Sequence, residues 1–226
     1  LPGVTLCCVD CAFHDLAADA LRASMSGIEF GDALFLSDRD CGVDGVRFRE
    51  IARIGSSAEY SSFMVHRLHE HVATGHVLVI QYDGFVLNPE AWYPRFCDYD
   101  FVGAPMRVGD DLVVGNGGFS LRSRKLLHAL RDDPEIRRYD PARGNMLEDA
   151  VICGSFRSRL ESAHGIRFAP PEVADRFAAG RTLPTTRSFG FHGLLHLVRL
   201  YENRFELSDE AADGISVVFR ARTEMG

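Results

Sequence analysis

The stretch His76-Val-Leu-Val-Ile-Gln-Tyr-Asp-Gly-Phe85, HVLVIQYDGF, is an apolar run that ends abruptly on an acid. A short continuous apolar run bounded by a turn residue reads as a strand buried on both faces, the kind found in parallel sheets. Val77–Tyr82 supplies the strand and Gly84 the turn that stops it. A carboxylate at such a tip costs desolvation free energy unless a cation or hydrogen-bond donors meet it. In open α/β sheets the carboxyl ends of the strands are where ligands sit. Asp83 is therefore either the Asp that opens a turn before glycine or a ligand-binding group.

Outward from this stretch, strand-like runs alternate with helix-like ones, which predicts a three-layer α/β/α domain with a mostly parallel central sheet. Val4–Asp10 reads as a first strand, followed by a helix over 15–25 and a second strand at Ala33–Leu36. Ser56 or Ser57 is placed to cap a helix running to about Val72, with Glu59 spaced for a capping box. Pro89–Phe96 reads as a short helix with Pro at its first turn. Further on, Phe101–Ala104 and Val113–Leu121 are strand candidates around glycine-rich turns, a smaller and more irregular portion. Helices are expected at Ser123–Leu130 and Leu147–Ser162, a short strand at Ile166–Ala169, and a surface loop over the polar residues 131–145. No repeat or linker divides the chain, so residues 1–226 read as one domain, with a ligand-binding half at 1–105 and a second half at 106–226.

Composition narrows the classes. The 226 residues are 46% hydrophobic and 25% charged, the balance of a globular chain with a substantial core. A net charge of −7 argues against nonspecific nucleic-acid or anionic-membrane binding. No apolar run approaches the roughly 18–20 residues of a membrane span, and no signal peptide is evident. The first residue is Leu, compatible with a processed chain or one domain of a longer protein. Cys8-Val-Asp-Cys11 has no second pair to complete a zinc site. The six cysteines are read as reduced, structural residues of a cytoplasmic protein.

Four constellations could carry chemistry. Asp10 and Asp83 end two strands that, if parallel, present both acids at one sheet edge, where a cation or the ribose and base of a nucleotide would be natural partners. VGNGGFSLRSR, 114–124, brings Gly117 and Gly118 into a bend that permits close backbone approach, without the spacing of a phosphate loop. NMLEDAV, 145–151, opens a helix with Glu148 and Asp149, suited either to the helix dipole or to general-base work. SFGFHG, 188–193, sets His192 between aromatics and glycine, as a metal ligand or a buried histidine. His66, His69 and His71, on a predicted helix, read as solvated surface.

In this order, the strand-terminal acid, the Gly-Gly bend, the Glu-Asp pair and the late histidine resemble nucleotide-sugar-dependent glycosyltransferases of the GT-A type. The run from QYDGF through YDFVGAP and VGNGGFSLRSRK to ED is similar to a family of bacterial and fungal glycosyltransferase-like domains. The resemblance covers roughly residues 76–193; the first 75 residues match by pattern alone. It implies a GT-A-like fold, a nucleoside-diphosphate-sugar donor, a glycan acceptor, and transfer with inversion. It makes Asp83 the surviving acid of an Asp-x-Asp motif, with Gln81 in the place of the first, and makes Asp83 and His192 ligands of Mn²⁺ or Mg²⁺. Gly117 and Gly118 would lie beneath the donor sugar, Asp149 would be the base, and Glu148 would bind acceptor. Asp10 and Tyr60 are expected near the nucleotide's base and ribose. The implied setting is bacterial surface polysaccharide synthesis, in the cytoplasm or peripheral at the inner membrane. A nucleotide-sugar-binding domain without turnover is the alternative that Gln81 keeps open. A nucleotidyltransferase would need a Gly-rich loop with Arg and Lys after the first strand, which VDCAFHDLAAD does not supply.

Overall fold

A computed structural model describes residues 1–108, 111–140, 146–180, 187–194 and 196–198. The central sheet contains β1 (Val4–Val9), β2 (Asp32–Ser37), β3 (Arg47–Glu50), β4 (His76–Ile80), β5 (Phe101–Val102) and β8 (Ser120–Ser123), in the order β3-β2-β1-β4-β8-β5. β3, β2, β1 and β4 run parallel, while β8 lies antiparallel to both its neighbours. Two small pairs stand outside it: an antiparallel ribbon of β6 (Pro105–Val108) with β7 (Asp111–Val114), and a parallel pair of β9 (Ala178–Ala179) with β10 (Gly190–Phe191).

The pleat explains the three layers. Successive strand residues face opposite sides, so Leu6 and Cys8, Ala33 and Phe35, and Leu78 and Ile80 join the core on one face. Cys7 and Val9, Leu34 and Leu36, and Val77 and Val79 join the core on the other. The first core takes Leu16, Ala17, Ala20 and Leu21 from α1 (His14–Met25). The second takes Phe63 and Met64 from α2 (Ser57–His66) and Leu127 from α3 (Arg124–Asp132). Strands covered on both sides need no polar face, which is why VTLCCV and HVLVI are nearly all apolar.

The chain builds β1, β2 and β3 outward on one side, then returns to place β4 on the other side of β1. That reversal is a topological switch point, where a crevice opens beyond the strands' carboxyl ends. Ile80 pairs with Cys8, so Asp10 and the Gln81–Gly84 turn emerge together at this crevice.

Several expected boundaries shift. Val113–Leu121 is two strands, β7 and β8, because the bend at Gly117 and Gly118 separates them. Leu147–Ser162 is not one helix: Glu148–Ala150 is followed by a π-helical turn over Val151–Ser155, and a second helix covers Arg157–His164. The helix expected to reach Val72 stops at His66, and a 3₁₀ turn covers Leu68–Glu70. Within the expected loop 131–145 lies α4 (Pro134–Arg138), whereas 141–145 fall outside the described residues. The last part of the expected second half, 199–226, does so too. The histidines are not solvated surface. His69 and His71 are half-buried with a buried ring nitrogen, and His71 stacks on Phe63 at 5.7 Å.

α4 is capped by Asp133, whose Oδ1 accepts from the amides of Glu135 (2.9 Å) and Ile136 (3.2 Å). Its Oδ2 accepts from Arg159 Nε (2.7 Å) and His164 Nε2 (2.8 Å), tying α4 to the helix Arg157–His164. Burial alone would raise this carboxyl, but His164, Arg159 and the two amides outweigh it and hold it well below the usual carboxylate range. A carboxyl depressed by folding contributes its stability above its unfolded pKa of about 3.9, and that contribution is lost as pH falls further. Asp133→Asn should therefore lower the melting temperature by roughly 5–10 °C at neutral pH. The gap to the parent chain should close below about pH 4, which thermal unfolding followed by circular dichroism across pH would record.

Candidate active site

All nine residues singled out in the sequence line one cavity of about 530 Å³ at the switch-point crevice: Asp10, Tyr60, Gln81, Asp83, Gly117, Gly118, Glu148, Asp149 and His192. Three neighbours that sequence reasoning missed also line it. Phe13 and Tyr82 pack with ring centroids 4.5 Å apart, and Arg53 stands before α2. These carry no local motif. Phe13 follows the strand-end Asp10 and Tyr82 lies between Gln81 and Asp83, which is the one signal that could have found them.

Each acid is held by its own device. Asp10 follows β1 and turns the chain into α1, its Oδ1 accepting from the amides of Ala12 (2.7 Å) and Phe13 (2.6 Å). Burial raises its pKa; the two amides and His14 oppose that rise, and the nearby Asp83 charge adds to it. Asp83 occupies a two-residue turn closed by reciprocal Gln81–Gly84 backbone hydrogen bonds, both 3.0 Å. Its carbonyl accepts from the Gly193 amide at 2.7 Å, which fastens the turn to the His192 segment. Asp83 is 6% exposed, with Oδ1 3.4 Å from His192 Nε2. His192 Nε2 also lies 3.0 Å from Gln81 Oε1. Both partners are acceptors, so Nε2 is the nitrogen that carries the hydrogen here.

The glycines make room for these side chains. A Cβ on Gly118 would lie 2.1 Å from His192 Nε2 and 2.5 Å from Gln81 Oε1. One on Gly117 would lie 1.9 Å from Glu148 Oε1. The space that a side chain would fill is thus taken by protein groups, so the bend is glycine for the sake of His192 and Glu148 in the first instance.

The acidic pair divides its labour. Asp149 is half-buried; its Oδ1 accepts from the Ala150 amide (2.8 Å) and its Oδ2 from the Gly117 amide (3.4 Å). Glu148 is turned inward, its side chain 6% exposed, and pairs with the fully buried Arg122 of β8 at 3.1 Å. Burial raises the Glu148 pKa, and the Arg122 charge opposes that rise. Tyr60 lines the same cavity as Asp10 and feels the charges of this pair. Burial and then the Glu148 charge push its phenol well above the usual range, with Gln81 close enough to oppose the rise slightly. The phenol oxygen is buried and makes no hydrogen bond of good geometry. Cys7 and Cys8 lie beneath the cavity in β1, and burial pushes the Cys7 thiol up to about 12, so neither is a nucleophile at neutral pH.

Among the described residues no three His, Cys, Asp or Glu side chains converge as a ligand cluster. A pair does meet the requirement of a solvated ion. Neighbouring ligands of Mg²⁺ or Mn²⁺ stand roughly 3 Å apart, which the 3.4 Å between Asp83 Oδ1 and His192 Nε2 satisfies. Gln81 Oε1 adds a neutral oxygen at the same nitrogen. To act as a ligand, Nε2 would have to give up its proton. The residues therefore fit a divalent cation whose other positions are filled by ligand oxygens and water.

The chain belongs to the family described as "Protein of unknown function (DUF5672)", whose model matches residues 43–192. That span begins after β2 and ends on His192, so of the nine cavity residues only Asp10 lies outside it. No curated protein matches the sequence. Two solved structures share the fold. One is a glycosyltransferase involved in the glycosylation of the major capsid of PBCV-1 (TM-score 0.51, 11% identity, 95% of this chain and 98% of that one). The other is the apo-form glycosyltransferase GlyE of Streptococcus pneumoniae TIGR4 (TM-score 0.52, 10% identity, 95% of this chain and 63% of that one). The mixed α/β architecture with a mainly parallel sheet is thus that of glycosyltransferase folds.

Gly118→Ala tests the close packing at the cavity floor. Its Cβ should push His192 and Gln81 apart, since neither can share the space. The expected result is a chain that melts within a few degrees of the parent, with the His192 ring resonances displaced in a ¹H–¹⁵N spectrum. An unchanged ring environment would mean that the bend is not set by this contact.

Proposed function

We propose that this protein is a glycosyltransferase of the GT-A type, moving a sugar from a nucleoside diphosphate to a hydroxyl of a glycan acceptor with inversion. The observation that supports it most is the convergence of two strand-end acids, a glycine bend and the Glu148–Asp149 pair on one switch-point cavity, in a fold shared with glycosyltransferases. A cavity of about 530 Å³ suits a ligand of nucleotide-sugar size.

In this reading the nucleotide lies over the segment after β1 and the start of α2. There Ser56, Ser57 and the backbone around Gly55 offer donors, and Phe13 with Tyr82 offers ring surface. Ser56 is already engaged, its Oγ accepting from the Glu59 amide at 3.2 Å, while the Glu59 carboxylate accepts from the Gly55 amide at 2.6 Å. Asp83 and His192 would hold a divalent cation, which supplies charge neutralisation as the diphosphate leaves. Asp149 would take the proton from the attacking hydroxyl while the bond from the anomeric carbon to the diphosphate oxygen breaks. Its amide partners hold the carboxylate without neutralising it, as a base requires.

Glu148, which the resemblance gives to the acceptor, would instead support the site, since Arg122 occupies its carboxylate. The second reading, nucleotide-sugar binding without transfer, draws on Gln81. A neutral amide stands where a second carboxylate would strengthen cation binding, and it is hydrogen-bonded to His192.

Transfer or donor hydrolysis, assayed over a panel of nucleotide sugars with Mn²⁺ or Mg²⁺, separates the two. Asp149→Asn should keep donor affinity and lose about 10²–10⁴-fold in kcat. The product should show inverted anomeric configuration by NMR. Retained configuration would remove the need for this base. Donor binding with no turnover by the parent chain would favour the second reading.

A further inference from the structure

Arg122 is the largest fully buried side chain among the described residues, a guanidinium on a core strand with no exposed surface. It is not among the residues that line the cavity. Its Nη2 donates to Glu148 Oε1 at 3.1 Å and to the Gly117 carbonyl at 3.2 Å, and its Nε donates to Ser120 Oγ at 3.0 Å. Ser120 Oγ in turn donates to the same Gly117 carbonyl at 2.9 Å. The guanidinium carbon stands 5.8 Å from the centroid of the Phe101 ring.

Stability alone is a poor reason for this arrangement. A buried ion pair replaced by apolar residues of similar volume usually leaves a protein as stable or more so, because desolvation of the two charges offsets their attraction. What the pair does contribute is geometry. Arg122 and Ser120 pin the oxygen of Gly117, and the nitrogen of Gly117 points at Asp149 Oδ2. The same guanidinium fixes Glu148, the residue preceding Asp149. Two of the groups that orient Asp149, its helical neighbour Glu148 and the Gly117 amide, are thus held by one cation, while the third, the Ala150 amide, belongs to its own helix. The bend is costly to form otherwise: Asn116 takes φ +62°, a conformation uncommon for a residue with a side chain.

We propose that Arg122 is a positioning residue. Acting through Glu148 and the Gly117 peptide, it sets the Asp149 carboxylate for proton acceptance without itself touching substrate. This rests on Asp149 serving as the base.

Two variants test it. Arg122→Lys keeps a cation beside Glu148, but one ammonium cannot reproduce the fork that spans Glu148, Gly117 and Ser120. It should bind nucleoside diphosphate as the parent does, leave KM for the donor unchanged, and lose on the order of 10²-fold in kcat. The Gly117 amide resonance should move. Arg122→Met combined with Glu148→Met removes both charges; it should recover the melting temperature that either single change lowers, yet not recover turnover. Parental turnover in the stable double variant, or an unmoved Gly117 resonance in Arg122→Lys, would overturn the positioning role and leave the pair as packing. The amide resonance needs no substrate. A parent chain that transfers no sugar therefore counts against the enzyme reading, and an unmoved resonance counts against this one.

Discussion

The buried pair of Arg122 and Glu148 is the constraint on which the cavity depends. Charges with 0% and 6% side-chain exposure cannot be left unpartnered, so β8, the Gly117 bend and the start of the helix at Glu148 must arrive together. The bend can approach only because Gly117 has no Cβ, and that approach places its amide on Asp149. One electrostatic requirement therefore joins the antiparallel strand of the sheet to the acidic pair 26 residues further along the chain.

A second requirement governs the opposite wall. β1 and β4 are buried on both faces and end at the switch point, and each hands an acid to the crevice there. Asp10 is satisfied by two amides at the start of α1, and one oxygen is left for other work. Asp83 is held at its backbone by the Gly193 amide, and at its carboxylate it meets only His192 at 3.4 Å among the hydrogen bonds and ion pairs described. A nearly buried acid with one loose partner carries a desolvation cost that a further donor or cation would relieve.

Much of this was legible in the sequence, for identifiable reasons. The parallel strands announced themselves because burial on both faces leaves VTLCCV and HVLVI nearly all apolar. The capping of α2 by Ser56 was legible because Glu59 lies three residues on. β3 was not: RFRE is an edge strand with mostly exposed side chains and no apolar period to read. The helix expected from Leu147 is interrupted by a π turn over Val151–Ser155, a local feature that the apolar period does not reveal. Nine cavity residues could be nominated from their place at a strand end, bend, helix start or glycine-flanked segment, but Phe13, Tyr82, Arg53 and the partners of the nine could not. That Glu148 faces Arg122, and that Gly118 makes room for His192, depends on contacts between residues 26 and 74 positions apart. An arginine inside SLRS was the one available hint, since a basic residue on a core strand requires an acid.

On the proposed function, the switch-point cavity would bind a nucleoside diphosphate through the segments after β1 and before α2. Amide chemical-shift mapping during titration with nucleoside diphosphates, with and without Mg²⁺, tests it most directly. The predicted result is saturable displacement of resonances from Asp10 to Phe13, from Gly55 to Ser57, and at Gly117 and Gly118, with β3 unmoved. Displacements confined to surfaces away from these segments, or none at millimolar ligand for any base, would contradict it.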